Sequence, residues 1–176
     1  MKIILTSLLV FALTIDQWQF KADPAKSTLV VQGTSSVHDW ESVAEVFSVT
    51  GTMNDTEVTN LDVSVSVKSI KSGKSIMDDK TYEALKADKH PKIYFKAETL
   101  KVVNGHVKGD GTLTIAGKSK RITIDAASQS TTGGYKISGV VTLKMSEYGV
   151  TPPTAMFGTM QTGDQVTIQY QFLLIK

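Results

Sequence analysis

Apolar and polar residues alternate along most of the chain after the first 18 positions. In residues 61–68, LDVSVSVK, every second side chain from Leu61 onward is apolar and every intervening one is polar. Strict alternation of this kind predicts a β-strand with one buried face and one solvated face. The same pattern at residues 28–32, 43–53, 92–98, 107–115, 122–125, 141–144 and 166–172 gives about eight strands in total.

Short turn sequences separate these strands. Asn104 and Gly105 lie between two strand patterns and form a strong signal for a two-residue hairpin. Residues 116–119 and 131–134 are further candidate turns. Consecutive short connections predict that neighbouring strands pair antiparallel in a meander.

One helix interrupts the strands before Pro91, which ends it. Ser75 and Asp78 predict a capping box at its first turn. Its less polar face is predicted to consist of Met77, Thr81, Ala84 and Leu85. We expect this face to cover an apolar surface, such as one mouth of a barrel.

Long strands with short hairpins favour a closed up-and-down barrel over a sandwich of short strands, and several strands here approach ~33 Å in length. Closure leaves no exposed strand edge. The predicted fold is therefore all-β, an eight-stranded antiparallel barrel with one short helix covering one end. A barrel of eight strands is just wide enough to hold one small ligand.

The face that points into this barrel is aliphatic with few aromatic residues. It consists of Val63, Val65, Val67, Ile93, Phe95, Leu113, Ile115, Ile124, Val141, Leu143, Val166, Ile168, Tyr170 and Phe172. If the interior is hollow, it suits a flexible hydrocarbon chain, because each buried methylene gains roughly 0.8 kcal/mol. Periodicity alone leaves open whether the side chains fill the interior instead.

The first residues predict a signal peptide. Lys2 precedes a mostly apolar run over residues 3–15, which is shorter than the roughly 20 residues that span a bilayer. We therefore assign residues 1–18 to a bacterial secretory signal, and residues 19–176 to one exported domain without a transmembrane span. In the alternative interpretation, residues 3–10 form a buried strand or helix.

Composition excludes several functions. The chain has no cysteine, which rules out disulfides and thiolate metal sites, and its net charge of +2 with scattered lysines argues against nucleic-acid binding. Ser36, His38 and Asp39 do not suit a catalytic triad, because Asp39 points away from the other two on an extended strand. We predict no catalytic activity, no cofactor and no metal.

Two segments carry candidate ligand contacts outside the strand pattern. His38 and Trp40 share a strand face and could contact a ligand head group or cap the core. The connection at residues 151–160 includes Met156, Phe157 and Met160, which could form a lid over the cavity entrance or pack beneath the barrel.

Several segments resemble the YceI-like family of exported bacterial lipid-binding barrels. The quoted elements, in order, are KHPKIYF at residues 89–95, GTLTIAGKSK at 111–120 followed by ITI at 122–124, EYGV at 147–150 and GDQVTI at 163–168. The resemblance covers roughly residues 27–174. It implies a lipocalin-like barrel with a helical cover, an apolar tunnel for isoprenoid or fatty-chain ligands, export and no catalytic residues.

The chain departs from the family pattern at residues 35–40, SSVHDW, where many members have a His-x-Gly-Phe stretch. The mouth of the tunnel is therefore expected to differ. The predicted function is an exported carrier of an amphiphilic lipid, contacted by the inward residues other than Val166 and by His38, Trp40, Met77 and Phe157. A ligand-free interaction module acting through its loops is the alternative, and a homodimer stays possible.

Overall fold

Eight antiparallel wall strands close into a barrel in the computed structural model, which describes residues 17–155 and 158–176. The strands are β1 (Trp18–Ala22), β2 (Thr28–Ser35), β3 (Trp40–Ala44), β4 (Phe47–Met53), β5 (Glu57–Ser66), β6 (Ile70–Lys71), β7 (Lys92–Val103), β8 (His106–Ile115), β9 (Lys118–Thr131), β10 (Gly134–Lys144), β11 (Thr154–Ala155) and β12 (Met160–Ile175). Helix α1 is Ser75–Ala84, and 3-10 turns occupy Pro24–Lys26, Val67–Ser69 and Met145–Tyr148.

Three of the eight wall strands are interrupted, which is why more than eight segments build the wall. The first wall strand is β1 followed by β2, the second is β3 followed by β4, and the third is β5 followed by β6. The pairings of β1 with β4, β2 with β3, β4 with β5 and β3 with β6 are all antiparallel. The meander then continues through β5, β7, β8, β9, β10 and β12.

Strand β12 closes the barrel. One of its edges pairs with β10 along the whole of that strand, and the other pairs with β2 and then with β1. The predicted eight-stranded antiparallel barrel with one short helix is confirmed. Closure matters for the interior, because the inward side chains of all eight strands then face one shared space.

The first wall strand begins earlier than predicted. β1 starts at Trp18, the last residue assigned to the signal peptide, whereas the first strand was expected near residue 28. Trp18 packs edge-on against Phe20 and stacks on Tyr135. Residues 1–16 lie outside the described part of the chain, so the signal peptide stays a prediction.

The hairpin turns follow the predicted chemistry. Asn104 and Gly105, between β7 and β8, both have positive φ angles, of 51° and 75°. Ala116 and Gly117, between β8 and β9, have φ angles of 48° and 80°. Two successive positive φ angles are the signature of the turn that matches the twist of paired antiparallel strands.

The predicted capping box at α1 is wrong. Lys74 is the N-cap and Ser75 is already helical, and no side chain caps the helix there. The Asp78 carboxylate instead accepts hydrogen bonds from the backbone N–H and the hydroxyl of Ser72, both at 2.7 Å. Asp78 is buried, so its side chain ties the loop before the helix to the helix itself.

Helix α1 also ends about two turns before the predicted stop at Pro91. Its last residue is Ala84, and Lys86 adopts a left-handed φ of 54° that ends the helical run. The backbone N–H groups of Lys89 and His90 both donate to the Lys86 carbonyl, which forms a compact turn before β7.

The alternating pattern places apolar side chains inside the barrel, with one exception. Val65, Leu113, Ile115 and Phe172 are among its buried residues. Val67, which continues the alternation in the sequence, lies instead in the 3-10 turn that interrupts the third wall strand. Its side chain is buried there, but the strand has already ended.

Candidate functional site

The barrel encloses two adjacent apolar chambers. The upper chamber, of about 300 Å³, lies between the barrel wall, the inner face of α1, the β2–β3 hairpin and the segments around Pro153 and Met160. The lower chamber, of about 150 Å³, extends toward Phe20, Leu100 and Leu174. An empty interior of this size is in the range of small-molecule and lipid sites.

Five side chains line both chambers and form a neck between them. They are Val31, Ile70, Ile93, Ile115 and Ile168. Because every neck residue is aliphatic, the neck presents no polar obstacle to a hydrocarbon chain. The two chambers therefore adjoin at an aliphatic boundary, and we call the apolar interior on both sides of it the channel.

The two chambers differ in polarity. Ser35, His38, Lys74, Lys80 and Gln161 are among the lining residues of the upper chamber, which gives its rim hydrogen-bonding and cationic groups. The lower chamber is lined by aliphatic side chains and phenylalanines, with Tyr170 as its one residue bearing a polar side-chain atom in the described part of the chain. The interior thus has a polar end and an apolar end.

Aromatic rings lie flat against the wall because a glycine stands beneath each of them. A Cβ atom added at Gly139 would lie 2.3 Å from the Tyr170 hydroxyl oxygen, and one at Gly111 would lie 2.3 Å from Cζ of Phe95. A Cβ atom added at Gly33 would likewise lie 2.3 Å from Cζ2 of the Trp40 indole. Flat rings occupy the wall rather than the centre, and this arrangement keeps the interior open.

Trp40 is fixed at the upper chamber by a second contact. Its indole N–H donates to the Thr34 carbonyl at 3.0 Å, so the ring presents a face rather than a polar edge to the space beside it. His38, in the adjoining turn, is exposed and also lines this chamber. The structure thus brings together the two mouth residues selected from the sequence.

Tyr170 stacks on Phe172, with ring centroids 5.3 Å apart. Burial raises the pKa of Tyr170 to about 12, and the nearby Asp125 carboxylate adds to the rise. The phenol therefore stays protonated at any physiological pH and can donate a hydrogen bond.

The predicted ligand residues fall mostly on these chambers. The lower chamber contains Val63, Val65, Phe95, Leu113, Ile124, Val141, Tyr170 and Phe172. The neck contains Ile93, Ile115 and Ile168, and the upper chamber contains Leu143, Val166, His38, Trp40 and Met77. Val67 is not among the residues lining either chamber, and Phe157 lies outside the described residues.

Sequence reasoning missed several lining residues. Val31 belongs to a run of three apolar residues, so alternation did not show which of them points inward. Tyr148 and Val150 lie in and after a 3-10 turn, where no strand period applies, yet both are buried against the upper chamber. Phe20 was missed because the first strand was expected to begin after it.

The long connection before β12 borders the upper chamber. Pro153, Thr154 and Met160 line it, and the Thr162 N–H donates to the Pro153 carbonyl at 3.1 Å. These positions favour a rim over packing beneath the barrel. Met156 and Phe157 lie outside the described part of the chain.

Ser36, His38 and Asp39 lie in the turn between β2 and β3, where Ser36 and the His38 carbonyl accept hydrogen bonds from other residues. The Ser36 hydroxyl accepts from the backbone N–H of Gln161 at 3.1 Å, and the Ser35 hydroxyl donates to the His38 carbonyl at 2.7 Å. In the described residues, no hydrogen bond joins the three side chains into a relay.

No three histidine or acidic side chains gather into a possible metal site within residues 17–155 and 158–176. Over the same residues, no helix is long and apolar enough to cross a bilayer.

Comparison with known proteins identifies related barrels. The family model of the YceI-like domain matches residues 20–174. The crystal structure of BcnA from Burkholderia cenocepacia superposes with a TM-score of 0.72 at 18% identity, over 88% of this chain and 99% of that chain. No curated protein gives a significant sequence match.

Two other solved structures are similar. A polyisoprenoid binding domain from Saccharophagus degradans, implicated in plant cell wall breakdown, gives a TM-score of 0.68 at 11% identity, covering 89% of this chain and 97% of that chain. The YceI protein of Campylobacter jejuni gives 0.59 at 25% identity, covering 73% of this chain and 80% of that chain.

Proposed function

The chain belongs to the YceI-like domain family, and from its hollow interior we propose that it binds an amphiphilic lipid with a polyisoprenoid or other fatty chain. The observation that carries this proposal is the hollow apolar interior, in which two chambers adjoin at the aliphatic neck. A chain drawn into it leaves water along its length. Each buried methylene then contributes roughly 0.8 kcal/mol, against the cost of ordering the chain.

The polar end of the ligand is proposed to stay at the rim of the upper chamber. Lys74 is exposed at the N-cap of α1, Lys80 is exposed on the helix and His38 is exposed on the opposite hairpin, so hydrated donors surround the opening. A head group placed there keeps its contact with water and avoids the cost of burying a polar group.

A branched, unsaturated hydrocarbon chain fits the narrow neck in an extended conformation. The polyisoprenoid binding domain of Saccharophagus degradans has the same fold, which supports an isoprenoid as the first candidate. A plain fatty chain uses the same lining, because aliphatic contacts are not directional.

We propose a binding role rather than catalysis. Ser36 and the His38 carbonyl are engaged by neighbouring hydroxyl and backbone groups that hold the hairpin together. The lower chamber offers no pair of groups that could exchange a proton, since its one polar side chain in the described residues is the Tyr170 phenol.

Export is part of the proposal and rests on the sequence. Lys2 and the apolar run over residues 3–15 support a signal peptide. N-terminal sequencing of the protein from the periplasmic and culture fractions tests it. A mature chain beginning near residue 19 is expected, and a full-length chain confined to the cytoplasm would refute it.

Native mass spectrometry of protein purified from its own source tests lipid binding. We expect a mass excess of several hundred daltons that denaturation releases, and extraction then identifies the lipid. Protein that is bare in repeated preparations and refuses added polyisoprenoid and fatty acids would favour an interaction module acting through its loops.

A matched pair of variants places the ligand. Ile124 lines the lower chamber, whereas Thr123 is its exposed neighbour on the same strand. Ile124→Asp is expected to abolish loading, because a chain in the channel would meet a charge. Thr123→Asp is expected to leave loading unchanged, and equal loading of both variants would move the site outside the barrel.

A further inference from the structure

Strands β9 and β10 separate over part of their length. They pair only between residues 127–131 of β9 and 134–138 of β10. Beyond that point β9 continues to pair with β8, and β10 with β12, but not with each other. We call the gap between residues 122–126 and 139–143 the seam.

The upper end of this gap is covered and its lower part faces the lower chamber. The 3-10 turn Met145–Tyr148 bridges the top, where the Lys120 ammonium lies 2.8 Å from the Glu147 carboxylate. Below it, Ile122, Ile124 and Val141 line the lower chamber from the two sides of the seam. Backbone groups that face the seam there have no ladder partner across it.

The Tyr170 hydroxyl lies at this seam. It sits over Gly139, which is the β10 residue opposite Tyr170 and the first one beyond the pairing with β9, so the ring extends across β10 toward the β9 side. Within the described residues the hydroxyl makes no hydrogen bond, although the ring is well packed on Phe172. A phenol left unpaired in an apolar chamber loses the hydrogen bonds that water would give it.

We propose that the Tyr170 hydroxyl and the seam form a second polar subsite, which donates a hydrogen bond to an uncharged oxygen atom near the inner end of the bound chain. The inference rests on the proposed function and deepens it. A hydroxyl, ether or carbonyl oxygen fits, because the phenol is a donor and the lower chamber carries no cation among its lining residues. An anionic group is disfavoured there, because no cationic side chain lines the lower chamber to offset the burial of its charge.

The subsite predicts that the protein distinguishes chains that differ only at their far end. The probes are saturated fatty acids of 12 to 16 carbons and the same acids with a hydroxyl on the last carbon. Tyr170→Phe keeps the ring and its stacking but removes the donor. We expect it to weaken binding of the best-fitting hydroxylated acid by about threefold to tenfold, and to leave the plain acid of equal length unchanged.

Titration calorimetry measures both affinities, with Tyr135→Phe as the control. Tyr135 stacks on Trp18 and is not among the residues lining either chamber, so both acids should keep their affinities in this variant. A second readout is the ¹³Cζ resonance of labelled Tyr170, assigned by its loss in Tyr170→Phe. It should shift with the hydroxylated acid and not with the plain acid.

The outcomes separate the subsite from the carrier function. Equal effects of Tyr170→Phe on both acids, or an unmoved ¹³Cζ resonance, would overturn the subsite while the wild-type protein still bound lipid. If the wild-type protein bound neither acid nor a polyisoprenoid, both the subsite and the carrier function would be overturned.

Discussion

Individual glycines determine how much of the barrel stays empty. Gly33, Gly111 and Gly139 each lie under a ring of the neighbouring strand, and a methyl group at any of them would overlap that ring. A ring displaced from the wall has only the interior to enter. These glycines therefore act on the volume of the chambers, in addition to their effect on backbone freedom.

Gly139→Ala is expected to lower both stability and lipid binding. The three atoms nearest its added methyl group all belong to Tyr170, at 2.3 to 3.1 Å, so the ring must rotate into the lower chamber. We expect the free energy of unfolding to fall by about 1–3 kcal/mol, as for other overpacked sites. Urea denaturation measures the loss, and titration with a fatty acid measures the reduced affinity.

Removing the ring provides the control for this variant. In a protein that carries Tyr170→Leu, the methyl group of Gly139→Ala no longer meets an aromatic ring. Gly139→Ala should therefore lower the free energy of unfolding less in the Tyr170→Leu protein than in the wild type. Strictly additive losses in the two substitutions would show that the ring and the glycine are not coupled.

Asp78 has a different role from the one its sequence position suggests. Asp78 is buried, and its charged carboxylate accepts two hydrogen bonds from Ser72. Asp78→Ala should therefore lower the free energy of unfolding by about 1.5–3 kcal/mol. Asp79, its exposed neighbour on the helix, is the control, and Asp79→Ala should change the unfolding free energy by less than about 0.5 kcal/mol. Similar losses of unfolding free energy in both variants would mean that Asp78 acts only through its charge near the start of the helix.

The contribution of Asp78 should also depend on pH. The Ser72 backbone N–H, with the Ser72 hydroxyl and Lys71, holds the pKa of Asp78 below its ordinary value of 3.8, although burial opposes the shift. A lowered folded-state pKa stabilises the protein above the unfolded value and loses that effect as the pH falls through the folded value. The stability difference between wild type and Asp78→Ala should be constant near neutrality and shrink below about pH 4.

Residue-scale features were only partly predictable from the sequence. A period of two identifies which side chains share a face, and Phe95, Leu113 and Ile168 lie inside as predicted. The period does not say how a ring tilts, so the pairing of Phe95 with Gly111 could not be foreseen. Val67 followed the period and still left the lining, because the backbone turns before it.

At the scale of elements, the interruptions of the second and third wall strands lie beside one another. Ser69, in the break between β5 and β6, accepts a hydrogen bond from the Val46 N–H at 3.0 Å, in the break between β3 and β4. The same hydroxyl donates to the Ser66 carbonyl at 2.8 Å, and the Glu45 N–H donates to the Ser69 carbonyl at 3.0 Å. One buried serine thus replaces ladder bonds that both strands lose.

Ser69→Ala should therefore destabilise the barrel by about 1–3 kcal/mol, because it leaves the Val46 N–H without its acceptor. Ser64, on the outward face of β5, provides the control, and Ser64→Ala should stay within about 0.5 kcal/mol of wild type. Thermal and urea unfolding measure both variants. Indistinguishable stabilities would mean that water replaces the serine in the break.

The strand breaks explain why the elements were predicted better than their bounds. Residues 43–53 read as one alternating strand, and the sequence shows neither the gap at Glu45 and Val46 nor the bond from Ser69 that fills it. The partner lies 23 positions away, beyond the reach of any local pattern. By contrast, the turn at Asn104 and Gly105 is local, and it was predicted correctly.

For the whole molecule, the open question from the sequence was whether the barrel is filled or hollow. Alternation fixes the direction of side chains but not the volume they leave between them. The structure leaves two chambers of about 300 and 150 Å³, which share the five aliphatic side chains of the neck. A single ligand that passes the neck should therefore gain affinity with chain length until both chambers are filled.

Narrowing the neck should reduce the chain length at which the affinity stops rising. In the wild-type protein, each added methylene that enters the channel should tighten binding by at most about fourfold. Val31→Phe places a larger side chain in the neck, so affinity should stop rising once a fatty acid fills the upper chamber, while shorter acids bind as before.

Val30→Phe is the control, because it changes the outward face of the same strand and should keep the chain-length limit of the wild type. Titration with acids of increasing length measures the limit in each protein, and the same limit in Val31→Phe and Val30→Phe would mean that the two chambers do not hold one chain.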